Sequence, residues 1–374
     1  MRNDIIKKIV IAVIIVIAIL VVLFIGKEIG IRFFGLQTPS LSKSTSMDAK
    51  KIDISLEDGT NFKHITTDKY IYFVTTDKIL ITDDSGNEKK TLPISVENPC
   101  IVSSGEYIAV GDLGGNRIYT IKNTQILKET ETKKPIKNIS INDSGYFVAV
   151  TEGDMHKRDV ILYNEKGEEI FVWTSGTKLV FDAVVANNNK NVIISSLDTQ
   201  GTSANTVLNF YNISKEEPIQ AINYDNEIIV DLSVYGNYVY CIGESKTDIY
   251  TVTGDKKSEI AYTDKSILSY VITNSGIIMS FEEDTISDKR YSIEIYNENG
   301  TCVATYGYDY ISKSIDATNN YIVICREGLI NVIDYNGREQ KLIDAGIDIK
   351  DISFVGNTKR IVGFTAEGAY IISI

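Results

Sequence analysis

The stretch Asn138–Trp173, NISINDSGYFVAVTEGDMHKRDVILYNEKGEEIFVW, decides the fold of this chain. Tight polar turns at Asn142–Gly145 and Asn164–Gly167, with a longer polar loop at Glu152–Arg158, divide it into four short apolar runs. Gly and Asn supply the positive-φ positions that tight hairpins need. The pattern therefore predicts a small antiparallel sheet of four strands. These strands are Ile139–Ile141, Tyr146–Val150, Val160–Tyr163 and Glu169–Trp173.

The same pattern recurs from residue 60 to the C-terminus. Each copy begins with a first strand, a turn and a more hydrophobic second strand. The eight copies are Ile65–Thr75, Ile101–Gly111, Ile139–Val150, Ala183–Ser196, Leu232–Ile242, Tyr270–Phe281, Ile315–Cys325 and Ile352–Phe364. Their starts are separated by 36, 38, 44, 49, 38, 45 and 37 residues. A single sheet of this kind cannot bury both faces, so the copies must stack, and a period of about 40–45 residues predicts an all-β β-propeller.

The number of blades and the closure of the ring follow from the two ends of this repeat. We expect eight blades, with seven as the alternative if one weak copy, above all the one at Ala183, is not a separate blade. The eighth copy ends with a third strand at Tyr370–Ile374. Lys51–Leu56 alternates apolar and polar residues ahead of the first copy. We expect it to supply the missing fourth strand, because closure pairs strand edges that would otherwise be exposed.

The N-terminus carries a strong signal for membrane insertion. Ile9–Ile25 is an uninterrupted apolar run of 17 residues, close to the length that a helix needs to cross a hydrocarbon core of roughly 30 Å. The residues after it do not form a small-x-small cleavage site, and the first cysteine is Cys100. Neither a cleaved signal peptide nor a lipoprotein signal therefore fits. The sequence predicts an uncleaved transmembrane helix over residues 9–26.

The charges on the two sides of this helix nearly balance. Three basic residues precede the span and three follow it before residue 44, so the positive-inside rule gives only a slight preference. The charged amino terminus and the long domain that follows both favour a cytoplasmic N-terminus. We therefore expect a single-pass protein of the cell membrane. Residues 1–8 would form a short cytoplasmic tail, 27–50 a juxtamembrane stalk, and 51–374 a β-propeller outside the cytoplasm.

The charge balance argues against nucleic acid as a partner. The chain has a formal net charge of −12 from 38 basic and 50 acidic residues. Residues 1–36 hold five basic and two acidic residues, so the rest of the chain holds 33 and 48, or −15. Neutralising phosphates requires clustered Lys and Arg. The acidity of the body favours solubility instead.

The four cysteines do not form a recognisable site. Cys100, Cys241, Cys302 and Cys325 lie in apolar, strand-like runs without a CxxC pair or a zinc-site spacing. We expect buried free thiols. A disulfide between Cys302 and Cys325 is left open as an alternative.

Catalytic motifs are missing from the sequence. Only two histidines occur, His64 and His156, and neither an HExxH motif nor a Gly-x-Ser-x-Gly elbow is present. Gly111–Asn116 is rich in glycine but lies between strands, so it is not expected to cradle a phosphate. Asp83–Glu88 lacks the alternating ligands of a calcium loop. We therefore predict no catalytic residue, no metal ligand and no cofactor.

The body of the chain resembles the large WD40-like and quinoprotein-like propeller group. The anchor followed by a propeller resembles uncharacterised single-span membrane proteins of clostridia-like Gram-positive bacteria, and this likeness of layout covers essentially the whole chain. The Gly-His and Trp-Asp dipeptides typical of WD40 blades are absent, and Trp173 is the only Trp. Because quinoprotein blades carry a regular Trp, a quinone cofactor is not expected.

One face of the predicted ring is uneven. In a propeller, the second-to-third and fourth-to-first strand loops share a face, and here three second-to-third loops are long: Glu152–Arg158, Leu197–Asn205 and Glu282–Arg290. Long loops on a rigid scaffold are where function concentrates. Three tyrosines in a fourth-to-first connection suit either an interface or strand-edge packing. The candidate partner residues are Asp154, His156, Arg158, Asp198, Glu282, Glu283, Asp284, Arg290, Tyr306, Tyr308 and Tyr310.

These observations favour a non-enzymatic, membrane-anchored extracytoplasmic propeller that binds a partner protein or scaffolds a component of the cell envelope. Two alternatives stay open: a ligand-sensing or structural module, and a metal-dependent hydrolase whose carboxylates converge in the propeller channel. Carboxylates within metal-bonding distance in the channel would favour the hydrolase. A broad apolar patch on the long-loop face would favour the binding protein.

Overall fold

The structure is a computed structural model that describes residues 45–46, 49–52, 62–153, 158–176, 178–198, 205–283, 290–326 and 328–374. The predicted tail, the predicted transmembrane helix at 9–26 and most of the stalk lie outside the described residues. Within the described ranges, no helix is long and apolar enough to cross a membrane. The described chain consists of β-strands and the turns that join them.

The strands form eight sheets. Two short strands come first in the chain, β1 (Thr45–Ser46) and β2 (Ala49–Ile52). Blades 1 to 4 follow, with strands β3 (Lys63–Thr66), β4 (Tyr70–Val74), β5 (Lys78–Asp83), β6 (Glu88–Pro93); β7 (Pro99–Ser104), β8 (Tyr107–Asp112), β9 (Arg117–Lys122), β10 (Gln125–Glu131); β11 (Ile136–Ile141), β12 (Phe147–Glu152), β13 (Arg158–Tyr163), β14 (Glu169–Thr174); β15 (Leu179–Val185), β16 (Asn191–Asp198), β17 (Asn205–Asn212) and β18 (Gln220–Tyr224).

The second half of the ring repeats this arrangement. Blades 5 to 8 contain β19 (Ile229–Tyr235), β20 (Tyr238–Gly243), β21 (Lys246–Thr251), β22 (Lys256–Ala261); β23 (Lys265–Thr273), β24 (Gly276–Glu283), β25 (Tyr291–Asn297), β26 (Cys302–Tyr308); β27 (Ser314–Ala317), β28 (Ile322–Arg326), β29 (Leu329–Ile333), β30 (Glu339–Asp344); and β31 (Asp351–Phe354), β32 (Arg360–Thr365), β33 (Gly368–Ser373).

The prediction of an eight-bladed β-propeller is confirmed. The copy that begins at Ala183, the least regular in sequence, forms a complete sheet of four strands, so the seven-bladed alternative is wrong. Apart from those of blades 5 and 6, the first strands of neighbouring blades pack against one another, including those of blades 1 and 8. The first strands therefore surround a central channel, and the sheets radiate outward from it.

The long loops are shorter than the sequence suggested, because the strands on both sides continue into them. Glu152 pairs with Arg158, and Asp198 pairs with Asn205, as the last rungs of their ladders. In blade 6, Glu282 pairs with Tyr291. The central residues of the three predicted loops, 154–157, 199–204 and 284–289, lie outside the described residues.

The N-terminal strands pair with the last two blades. Strand β2 runs antiparallel to β33, with Ala49 opposite Ile372 and Ile52 opposite Ala369. Strand β1 runs parallel to β30 of blade 7. The predicted segment Lys51–Leu56 overlaps β2 by two residues, and residues 53–61 lie outside the description. Pairing therefore begins nearer the N-terminus than the alternation of the sequence indicated.

Hydrophobic side chains fill the spaces between neighbouring blades. Phe210 of blade 4 and Tyr250 of blade 5 meet edge to face, with ring centroids 5.7 Å apart. Phe73 of blade 1 and Phe364 of blade 8 meet in the same way at 6.0 Å. The middle strands of each sheet are covered on both faces, which explains why they are continuous runs of β-branched and aromatic residues instead of alternating ones.

The cysteines are all free, so the possible disulfide between Cys302 and Cys325 does not form. Cys241 and Cys325 are buried, as expected, in the second strands of blades 5 and 7. Cys100 is only half-buried, and Cys302 is exposed on the outermost strand of blade 6. The expectation of a buried thiol is therefore wrong for Cys302, because the fourth strand of a blade has a solvent-facing edge.

Candidate functional site

A belt of side chains lines the channel, with one member from each first strand. Each member immediately precedes the residue at which a sequence repeat begins, so the eight positions are equivalent. The belt consists of His64, Cys100, Asn138, Asp182, Asp231, Ser269, Ser314 and Asp351. Most of these side chains are polar, although they lie on the innermost strands of the ring.

A β-bulge precedes the belt residue in four consecutive blades. The ladder register shifts at Lys137, Phe181, Val230 and Leu268, in blades 3, 4, 5 and 6. A bulge leaves one residue unpaired and bends its strand.

Asp182 is the most tightly held carboxylate of the belt. Its side chain is 6% exposed. Its Oδ1 accepts hydrogen bonds from Asn138 Nδ2 of blade 3 and from the backbone N–H of Ala183, both over 2.8 Å. Its Oδ2 accepts the backbone N–H of Leu232, in blade 5, over 2.9 Å. One carboxylate therefore joins three consecutive blades.

Asp231 continues this chain of contacts into blade 6. Burial, followed by like-charge repulsion from the neighbouring Asp231 carboxylate, raises the pKa of Asp182 to about 7, although the N–H donors of Leu232 and Ala183 oppose the rise. The Tyr270 hydroxyl donates to Asp231 Oδ2. Burial, then the charge on Asp231, raises the pKa of Tyr270, so this hydroxyl remains a donor at neutral pH.

The belt is also connected between blades 7, 8 and 1. Ser314 Oγ donates to Asp351 Oδ1, and His64 Nε2 lies 3.4 Å from Asp351 Oδ2. The His64 ring stacks on Phe364, with ring centroids 3.4 Å apart. Burial lowers the pKa of His64 although Asp351 acts in the opposite direction. His64 is therefore mainly neutral at pH 7, in keeping with a structural histidine.

The contacts of the belt carboxylates indicate a structural role, in which hydrogen bonds hold neighbouring blades together. Both oxygens of Asp182 accept backbone N–H groups, which leaves little capacity for a substrate. Within the described ranges, no group of three His, Cys, Asp or Glu side chains could hold a metal ion. Glu282 and Glu283, predicted as partner residues, lie at the end of β24 in blade 6.

Exposed apolar side chains form a second feature, on the face where the first strands begin. Val230 and Leu268, the bulge residues of blades 5 and 6, are 47% and 40% exposed. Leu179 at the start of β15 and Ile311 just before β27 extend the set to blades 4 and 7, and Ile311 is 65% exposed. We call these four side chains the apolar rim. Its members come from four consecutive blades, 4 to 7.

The predicted partner residues that the structure describes lie on this same face. Arg158 begins β13, Asp198 ends β16, and Glu282 ends its ladder beside Arg290. Glu282 and Arg290 form an ion pair over 2.5 Å. Asp154, His156 and Asp284 lie outside the described residues.

The three tyrosines pack between blades 6 and 7. Tyr308 is buried, and its ring lies 4.7 Å from that of Tyr310 and 6.1 Å from that of Tyr306, between centroids. The Tyr310 hydroxyl donates to Asn331 Oδ1 over 2.7 Å, and the Tyr306 hydroxyl donates to Glu339 Oε2 over 3.0 Å. These contacts match the strand-edge packing that the sequence left open as the alternative to an interface.

A family assignment follows from comparison with known proteins. The model of a family of unknown function, DUF5711, matches residues 43–374. The chain belongs to DUF5711. No curated protein matches it.

Solved structures similar to this DUF5711 chain include β-propellers. The C-terminal WD40 domain of Sif2 is 13% identical, with a TM-score of 0.58 over 88% of this chain and 99% of that one. BamB from Moraxella catarrhalis is 11% identical, with a TM-score of 0.50 over 87% and 100%. A eukaryotic initiation factor is 12% identical, with a TM-score of 0.54 over 84% and 83%. At these identities the likeness shows the fold alone.

The sequence held a signal for the belt of this DUF5711 propeller that is easy to overlook. In most of the eight repeats, the residue immediately before the repeat start is polar, although the strand around it is largely apolar. Aligning the repeats on Ile65, Ile139 and Ile352 would have placed His64, Asn138 and Asp351 at one position. For the apolar rim, a comparable signal was missing, because Val230 and Leu268 resemble ordinary strand residues until the bulges expose them.

Proposed function

We propose that this chain is a membrane-anchored, non-enzymatic binding module whose partner protein docks on the apolar rim. The observation that carries the proposal is the exposure of Val230 and Leu268 at equivalent bulge positions of consecutive blades. The first strand of a blade lies innermost in the ring, where apolar side chains are usually buried. Their repeated exposure on one face favours a surface that a partner covers.

The chemistry of this face fits an interface with an apolar centre and a polar periphery. Each rim side chain is about half exposed, so covering it contributes about 1 kcal/mol to binding. Around the end of blade 6, the Glu282–Arg290 ion pair and the contact of Lys265 with Glu283 over 3.7 Å supply charged neighbours. Such groups set the orientation of a partner more than its affinity. The proposed partner therefore presents an apolar segment flanked by charges.

The proposed location follows from the N-terminal segment. The apolar run Ile9–Ile25 would anchor the chain in the cell membrane, with residues 1–8 in the cytoplasm and the propeller outside. The resemblance to single-span proteins of clostridia-like bacteria supports this layout. We also propose that the N-terminal strand closes the ring, and the pairing of β2 with β33 supports that closure.

A hydrolase is the second candidate, since two belt carboxylates, Asp182 and Asp231, are neighbours. Asp231 is close enough to raise the pKa of Asp182, as one member of an acid–base pair would do. The backbone N–H groups of Ala183 and Leu232 occupy the Asp182 oxygens, however. The non-enzymatic proposal accounts for the same carboxylates as staples between blades.

Site-specific photocrosslinking in the native membrane tests the docking surface. A crosslinking residue is placed at Leu268 of the rim or at Val303, which is 55% exposed on the outermost strand of the same blade. We expect a discrete crosslinked protein from position 268 and none from position 303. Val230→Asp with Leu268→Asp should reduce capture of that protein by about tenfold or more, whereas Val303→Asp should not. Equal products from both positions, or none from 268, would contradict the proposal.

Protease treatment of intact cells tests the location. Proteolysis of the propeller from outside, with retention of a short N-terminal fragment in the membrane, is expected. Full protection of the propeller until the membrane is broken would overturn the extracytoplasmic assignment.

A further inference from the structure

The opposite end of the channel contains two neighbouring cavities. One has a volume of about 500 Å³ and the other about 270 Å³, and Ser103 and Ser104 line both. Residues from all eight blades contribute to the two linings together. The larger cavity lies where the first strands end, such as β7 at Ser104 and β19 at Tyr235, and the smaller one extends to the belt residues Asn138, Asp182 and Asp231. We call the two neighbouring cavities together the lower mouth.

The lining of the larger cavity is polar and lacks cationic groups. Hydroxyl and amide side chains dominate it, and Asp68 and Asp316 are its charged residues. None of the described lining residues of either cavity is Lys, Arg or His. The resulting field disfavours phosphates, sulfates and other anions. A neutral ligand with many hydrogen-bonding groups fits this lining best.

Several of these polar groups are available to a ligand. Among the described residues, no hydrogen-bond partner is found for the side chains of Ser103, Ser104 and Asn319 or for the carboxylate of Asp68. The Asn274 and Asn357 amides use their oxygens locally, accepting from Ser275 Oγ and from the Asn319 backbone N–H, and their Nδ2 groups remain as donors. The lower mouth thus offers donors and acceptors side by side.

An exposed aromatic ring completes the site. Tyr235 is 41% exposed and lines the larger cavity at the end of β19. The C–H face of a pyranose ring is apolar and packs against aromatic rings, while its hydroxyls both donate and accept hydrogen bonds. The cavity volume also lies in the usual range of small-molecule sites, roughly 300–1,000 Å³.

We propose that the lower mouth binds a neutral carbohydrate chain, with Tyr235 as the stacking platform and Ser104, Asn274, Asn319 and Asn357 as its polar contacts. The three asparagines belong to the turns of consecutive blades 6, 7 and 8, so they face the ligand from one side of the channel. Ser104 of blade 2 and Tyr235 of blade 5 complete the ring of contacts. This site lies on the face opposite the apolar rim and does not rest on the function proposed above.

Titration of the full chain in detergent with defined tetrasaccharides tests this site. The neutral probes are N-acetylchitotetraose, maltotetraose and cellotetraose, and the anionic probe is tetragalacturonate. Isothermal titration calorimetry should detect at least one neutral probe and not the anion. Saturation-transfer NMR should place the strongest contacts on the C–H face of one pyranose.

Matched variants separate the stacking and hydrogen-bonding contributions. Tyr235→Ala should weaken binding by about tenfold or more, and Tyr235→Phe by no more than about twofold, because the ring is retained. Asn274→Ala and Asn319→Ala should each weaken binding about fivefold. Asn299→Ala removes an exposed amide from the outer turn of blade 6 on the same face and should leave affinity unchanged.

Three results would overturn the proposal. They are the failure of every neutral probe to bind at about 10 mM, stronger binding of tetragalacturonate, and unchanged affinity of Tyr235→Ala. Thermal melting by circular dichroism verifies that each variant is folded. If Tyr235→Ala has a lowered melting temperature, the affinities of Asn274→Ala and Asn299→Ala are compared instead, because these two substitutions change only exposed turn amides.

Discussion

The side-chain amide of Asn138 donates to the carboxylate of Asp182 over 2.8 Å, and this bond joins blade 3 to blade 4. The acceptor is almost fully buried and also binds backbone groups of blades 4 and 5. A hydrogen bond to a charged or shared-proton acceptor in such surroundings is among the stronger ones in a protein. The hydrogen bonds of the belt therefore stabilise the packing of neighbouring blades against each other.

Removal of this donor should destabilise the ring. We expect Asn138→Ala to lower the free energy of unfolding by about 1–3 kcal/mol, because the Asp182 carboxylate stays buried with one donor fewer. Urea unfolding followed by circular dichroism measures the change. Asn336→Ala, in an exposed turn, is the matched control and should change stability by about 0.5 kcal/mol or less. Equal effects of the two substitutions would show that the hydrogen bond between Asn138 and Asp182 contributes nothing to the free energy of unfolding.

The pair Asp182 and Asp231 predicts a pH dependence of stability. The folded pKa of Asp182 is raised to about 7 from an ordinary value of 3.8, so between pH 4 and 7 the folded chain holds a proton that the unfolded chain has lost. The stabilisation is complete below about pH 4 and is lost as the pH rises through 7, with a slope of at most about 1.4 kcal/mol per pH unit. Burial lowers the pKa of His64, which contributes the opposite slope as the pH falls below 6.5.

Substitution isolates the contribution of the pair. Asp231→Asn removes the like charge and should lower the pKa of Asp182, so the loss of stability between pH 5 and 7 should shrink relative to the unaltered chain. Unfolding in urea at half-unit pH steps gives the two curves, and their difference cancels the contribution of His64. Asp143→Asn, in an exposed turn, should leave the curve unchanged. Parallel curves for Asp231→Asn and the unaltered chain would refute the coupling.

The pairing of β2 with β33 predicts a large effect of one buried residue. Ile52 is fully buried against the hydrophobic side chains of blades 1 and 8. Ile52→Ala should cost about 2–5 kcal/mol of stability by leaving a cavity. Ile170→Ala, on the exposed outer strand of blade 3, should cost about 0.5 kcal/mol. A small effect at position 52, measured by urea unfolding, would mean that the N-terminal strand contributes little to the ring.

The exposure of Cys302 predicts selective alkylation. Burial raises the pKa of Cys100 to about 11 and that of Cys325 to about 12, and it raises the pKa of Cys241 as well, so these thiols are poor nucleophiles. The native chain should react with one equivalent of N-ethylmaleimide, and Cys302→Ser should abolish the reaction. Peptide mass mapping identifies the labelled site. Prompt labelling of Cys325 in the native chain would contradict the placement of the two thiols.

The repeats in the sequence made the fold predictable. The candidate site was not predictable in the same way, because it depends on contacts between residues of different repeats. The spacing of Ile139, Leu232 and Ile352 was enough to indicate a ring of four-stranded sheets. Asp182 and Asp231 lie 49 positions apart, and only the closed ring brings their carboxylates together. The sequence pattern therefore shows that Asp182 is polar, but it does not show that Asp231 lies beside it and raises its pKa.

For the apolar rim and the three tyrosines, the sequence also did not predict which single side chains are exposed and which are buried. Val230 is exposed because a bulge at that position breaks the alternation of β19, and side-chain periodicity does not predict bulges. Tyr308 was selected for its chemical type and its loop, but burial between blades 6 and 7 decided its role. Residue type alone does not distinguish a contact surface from packing.

The register that sets Ala49 opposite Ile372 has a consequence for biosynthesis. These two residues are separated by most of the chain, so during translation seven blades will have emerged before the partner of β2 exists. Until then the nascent protein is an open arc with unpaired strand edges, which are targets for chaperones and proteases. The pairing of β2 therefore waits until β33 has been made, and we expect chains shortened before β33 to be degraded.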